Sequence, residues 1–143
     1  LLRPGGRADF AVWAPARDNP WVGALMGILR EHIELPRPEP HAPGPFALDD
    51  PNYFASLLRP AGFTDLEFAL WQGSQPIGGA GSAPESARDF VLNSMNWSQM
   101  LAGQPEEVRA SIEAKLLALL QQHDTPRGVE MQALAWLVSA RRA

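Results

Sequence analysis

The spacing of apolar positions changes several times along the chain, and each change marks an element. Ala8-Asp9-Phe10-Ala11-Val12-Trp13 is apolar at nearly every position, which predicts a short strand covered on both faces of a sheet. Arg3-Pro4-Gly5-Gly6 before it predicts a tight turn, because Pro presets φ at an early turn position and Gly supplies the positive φ that follows. After the loop Ala14–Pro20 the period becomes helical, with Trp21, Val22, Leu25, Ile28, Leu29 and Ile33 on one stripe. Asp18 or Asn19 is placed to cap that helix, and Pro20 suits its first position, where a missing N–H costs nothing. From Leu35 to Pro51, prolines at 36, 38, 40, 43 and 45 exclude a regular helix or interior strand, so the tract reads as an extended surface arm.

Asp50-Pro51 repeats the cap-plus-Pro start, and Tyr53, Phe54, Leu57 and Leu58 supply a short helix that stops ahead of Pro60, with Gly62 as its left-handed cap. Residues 64–71 alternate, Leu66, Phe68 and Leu70 against Asp65 and Glu67, which predicts an edge strand with one wet face. Residues 73–82, with glycines at 73, 78, 79 and 81, read as a flexible loop. Ser82-Ala83-Pro84-Glu85 has the form of a capping box ahead of a helix through Ala87, Phe90, Val91 and Met95, which Asn96-Trp97 interrupts. Pro105-Glu106-Glu107 starts the most regular helix, with Val108, Ile112, Leu116, Leu119 and Leu120 on its stripe and acidic residues at its positive end. The last element, Val129 to Arg141, is apolar on both faces and predicts a central strand.

Two of these segments carry a family resemblance. Leu2-Arg3-Pro4-Gly5-Gly6-Arg7 running into a strand resembles the approach to the fifth strand of class I S-adenosylmethionine-dependent methyltransferases. Leu57-Leu58-Arg59-Pro60-Ala61-Gly62-Phe63 resembles the approach to their sixth. The resemblance implies an α/β fold, the C-terminal part of a Rossmann-like methyltransferase domain: a three-stranded mixed sheet, its last strand central and antiparallel, with about four helices, forming one partial domain over residues 1–143. It implies transfer of a methyl group to a small organic acceptor. In that family the donor-binding half precedes the first of these turns, so this chain is expected to be a fragment or a processed product. No Glu/Asp-x-Gly-x-Gly-x-Gly signature occurs, so no catalytic or cofactor-binding residue is assigned. The chain alone is expected neither to bind S-adenosylmethionine tightly nor to transfer methyl groups.

Open α/β sheets bind ligands beyond the carboxyl ends of their strands. By resemblance, Trp13, Asn19, Pro20 and Trp21, just after the fifth strand, border the acceptor pocket. Trp13 and Trp21 read more readily as core aromatics capping the sheet, and the acceptor-wall reading stays open beside that. An alternative of another class is a non-catalytic binding or oligomerisation module that reuses the second half of the fold. Its motive is physical: without a preceding strand, residues 8–13 present an unpaired edge, which predicts a homo-oligomer formed through that edge.

Composition narrows this picture. At 143 residues the chain has the length of one domain, and its net charge of −4, without a Lys/Arg block, speaks against nucleic acid or an anionic membrane as a partner. There are no cysteines, so thiolate metal sites and disulfides are excluded. No apolar run reaches membrane-spanning length and no signal-peptide pattern is present, so a soluble, cytoplasmic protein is expected. His32, His41 and His123 are scattered, and no metal site is expected. Gly78-Gly79-Ala80-Gly81 lacks the Lys-Ser/Thr of a phosphate loop and reads as a plain loop. No Gly-x-Ser-x-Gly elbow occurs. Asp49, Asp50, Glu85, Glu106 and Glu107 all stand where helix starts favour acids.

Overall fold

The computed structural model describes residues 2–143. The elements are β1 (Arg7–Trp13), α1 (Pro20–Arg30), α2 (Pro51–Leu58), β2 (Phe63–Pro76), α3 (Pro84–Ser94), α4 (Trp97–Leu101), α5 (Glu106–Gln122), β3 (Asp124–Thr125) and β4 (Gly128–Arg142). A single 3-10 turn, Ala16–Asp18, follows β1. The protein is α/β, with four strands in an antiparallel sheet of order β1-β4-β2, β3 pairing β4. The last strand is central, as expected from its apolar character. Three expectations are corrected. The sheet is antiparallel rather than mixed, because both outer strands neighbour the reversed β4. It has four strands rather than three, because Asp124-Thr125 folds back on Gly128-Val129 in a hairpin too short to show a period. Among the described residues there are five α-helices rather than about four, since Asn96, in the left-handed region (φ 67°), separates α3 from α4.

The chain forms two compact units. The first comprises residues up to 19, 37–73 and 133–143. Its N-terminal turn follows the residue types: Gly6 N–H donates to Arg3 O at 2.9 Å, Pro4 takes the first central position and Gly5 the second, with φ 76°. β1 then runs antiparallel to β4 from Arg7↔Arg141 to Trp13↔Ala135. Phe54, Leu58 and Val138 form the core of this unit, with Phe10, Val12, Leu48, Phe63, Leu66, Phe68 and Trp136 packed around them. The Phe54 ring meets Phe10 and Phe68 edge-on, at 5.4 and 6.3 Å between centroids. β2 begins earlier and ends later than its alternation suggests. Asp65 takes φ 49°, and Phe63, Leu66 and Phe68 all pack against the core of this unit. Leu70 remains exposed. α2 stops at Leu58, two residues short of Pro60, and Gly62 takes φ 83°. A Cβ at Gly62 would meet only the movable Arg142 guanidinium, so it is the positive φ that favours glycine there.

The second unit comprises residues 20–36 and 74–132. α3 packs on α4 and α5, and α1 on α5, burying Leu25, Leu29, Val91, Trp97, Ile112, Leu116 and Leu120. α1 ends at Arg30, so Ile33 falls beyond the predicted helix, in a turn where its N–H donates to Leu29 O. The predicted capping box is corrected as well. Ala83 is the N-cap of α3 with no side-chain cap bond, and Ser82 Oγ instead donates to Gly78 O at 2.8 Å. Pro84 fixes the first helical position without a capping hydroxyl. The glycine tract is ordered by backbone: Ile77 N donates to Val129 O, Gly81 N to Arg127 O and Val129 N to Ser82 O, at 2.9–3.0 Å. Gly128, at φ 98°, leaves no room for a Cβ, which would sit 2.7 Å from Ser82 N.

Candidate functional site

The carboxyl end of β1 in the first unit opens into two hollows that share Gly44-Pro45 of the proline arm in their linings. The larger, about 840 Å³, is lined among others by Arg17, His41, Phe46, Asp49, Asp50 and Trp136. The smaller, about 460 Å³, is apolar, with Ala11, Val12, Trp13, Pro45, Leu48 and Ala135 in its wall. Both volumes lie in the range that small ligands occupy.

Local chemistry explains how the arm is held. Its first part, 37–45, is exposed, and 46–50 are half-buried. Leu48 joins the core, Asp49 O accepts the Trp136 indole N–H at 3.0 Å, and Trp13 lies against Phe46 with centroids 6.5 Å apart. His41, at φ 57°, stacks on Tyr53 of α2, the rings 3.6 Å apart and 16° from parallel. Histidine is among the residue types enriched in this left-handed region. Asp50 caps α2 by accepting the Asn52 N–H at 2.8 Å. Asp49 enters the structure through its carbonyl, not as a cap.

Of the sequence-derived site residues, Trp13 stands in the wall of the smaller hollow. Asn19 is 1 % exposed, and its side chain is spent on backbone. Its Nδ2 donates to Ala14 O at 2.8 Å and Leu134 O at 3.2 Å, while its Oδ1 accepts the Leu134 N–H at 2.8 Å. That fork stitches the loop after β1 to β4. Pro20 is exposed at the start of α1 in the second unit, and Trp21 is buried there. The sequence reading missed Phe46, His41, Tyr53 and Trp136. Proline content had marked the arm as surface, and Trp136 had been absorbed into the central strand. The one available signal was the indole N–H, which in a half-buried Trp needs an acceptor.

The chemistry open to these hollows is binding and orientation. Among the described residues no group of three or more His, Cys, Asp or Glu side chains is placed to hold a metal ion, and no helix is long and apolar enough to cross a membrane. In the glycine tract the Gly81 N–H donates to Arg127 O at 2.9 Å, and a Cβ at Gly78 would stand 3.0 Å from Ala87 Cα. In the second unit the hydrogen bond and charge of Lys115 hold Glu31 below the ordinary carboxyl value. Comparison with protein-family models and with curated proteins finds no match for this chain.

Proposed function

We propose that the chain is the acceptor-side, C-terminal portion of an S-adenosylmethionine-dependent methyltransferase that acts on a small organic molecule. The observation that carries the reading is the strand order: a reversed last strand between β1 and β2, each outer strand preceded by a Pro-Gly or Ala-Gly turn. The two hollows at the carboxyl end of β1 support it, because open α/β sheets take ligands there. On this reading the larger hollow, with Phe46 and Trp136 in its lining, takes the acceptor, Trp13 supports it through its contact with Phe46, and the donor is held by residues outside this chain. A polypeptide that carries this chain behind a glycine-rich strand-turn-helix is expected to release S-adenosylhomocysteine when supplied with donor and acceptor, and Trp13→Ala to lower that rate. An upstream reading frame without such a segment, or a longer product that releases none, overturns the reading.

A second reading rests on a separate observation. β1 is an outer strand whose partner in the sheet is β4, and such an edge pairs readily with another chain. On this reading the chain is a self-associating module joined through residues 8–13. Sedimentation equilibrium is expected to show a dimer, and a monomer at high concentration refutes it.

A further inference from the structure

We propose that the larger hollow beneath the proline arm binds an organic ammonium, a small amine on an aromatic or apolar body. This names the acceptor class for the site just described and rests on that reading. Three features of the cavity select the class. First, at about 840 Å³ it accommodates a whole small molecule rather than a single ion. Second, Trp136 and Phe46 line it, and the Trp136 ring is fixed because its N–H is committed to Asp49 O. Aromatic rings attract a cation over their faces and give an apolar body a surface to lie on. Third, the charges on the lining are unbalanced. Arg17 is neighboured by Asp18 at 3.8 Å, and Glu39, Asp49 and Asp50 remain on a lining whose other basic side chain is His41, stacked on Tyr53. Asp50 also accepts a backbone N–H, a neutral donor that leaves its charge in place. An anionic ligand meets like charge on entering, whereas an ammonium meets carboxylates and aromatic rings together.

The experiment is a nuclear magnetic resonance titration of the full 143-residue chain with three ligands of one shape: 2-phenylethylamine, 2-phenylethanol and 3-phenylpropionate. The amine is expected to shift the Trp136 indole resonance and the arm amides saturably, at least about tenfold more tightly than the alcohol, with no shift by the acid. The double variant Glu39→Gln, Asp49→Asn is expected to weaken amine binding about tenfold or more while the resonances of the second unit stay in place. Equal binding of alcohol and amine, tighter binding of the acid, undiminished amine binding by the variant, or no saturable shift with any of the three overturns the inference. Failure of the parent reading looks different. Amine binding without methyl transfer by the longer polypeptide removes the transferase and keeps the ammonium site. Transfer to a phenol or an acid keeps the transferase and removes the ammonium site.

Discussion

The two faces of the first unit's sheet share three strands and behave as different materials. On the face toward α2, Phe10 and Val12 of β1, Trp136 and Val138 of β4, and Leu66 and Phe68 of β2 close around Phe54 and Leu58. On the opposite face Asp9, Ala11, Leu137, Ser139, Glu67 and Ala69 border a shallow depression of about 480 Å³. Leu137 and Val138 are consecutive, yet the first is 45 % exposed and the second 2 %. Strand periodicity alone separates them. The lesson is that an apolar strand sequence reports how much hydrophobic side chain is available, and the helices actually packed against it decide how much is buried.

Substitutions test that contrast, the largest effect first. Phe54→Ala removes the ring that bridges β1 and β2 and is expected to cost about 3–5 kcal/mol in a urea unfolding titration. A cost near zero would mean that the covered face is not a core. Asn19→Ala strands the Leu134 N–H and the Ala14 carbonyl in a buried site and is expected to cost about 1–3 kcal/mol. Asn19→Asp cannot supply the Nδ2 donor, so it should not restore stability. Leu137→Ala, on the open face, is expected to stay within about 0.5 kcal/mol of the parent. A loss as large as that of Phe54→Ala would show that the open face is covered in solution. The smallest effect is electrostatic and lies in the second unit. The folded value of Glu31 is depressed by Lys115, so its contribution is present above the ordinary carboxyl value of 4.5 and is lost as pH falls through the folded value. Glu31→Gln is expected to flatten slightly the acid limb of a stability-versus-pH curve and to leave neutral pH nearly unchanged, because the pair is exposed. A steeper acid limb in the variant would reverse that sign.

Much of the architecture was legible because it rests on rules that act within a few residues. Pro4-Gly5 dictated its turn, Asp50-Pro51 its cap, Gly62 its left-handed exit, and the doubly apolar run 134–138 its central place. What was not legible depended on partners far away in the chain. Ser82 had a capping sequence, yet its hydroxyl is drawn to Gly78 O by the way the glycine loop folds against the hairpin. Asp65 looked like an ordinary wet-face strand residue, yet it takes a positive φ of 49°. Asn19 looked like a pocket residue or a cap, and a partner 115 positions later fixes its orientation. The hollows were hidden for the same reason. The arm's proline spacing says that it is extended, while Leu48, Asp49 and the His41–Tyr53 stack determine where it lies.

The central strand comes after both of its neighbours in the chain, and that order has a cost in folding. Arg7 gains its neighbour only when Arg141 arrives, and β2 waits likewise for β4. Such non-local pairing is slow to form and exposed to aggregation while it waits. The strand that closes the sheet is therefore also the one that ends the exposure of the two beside it.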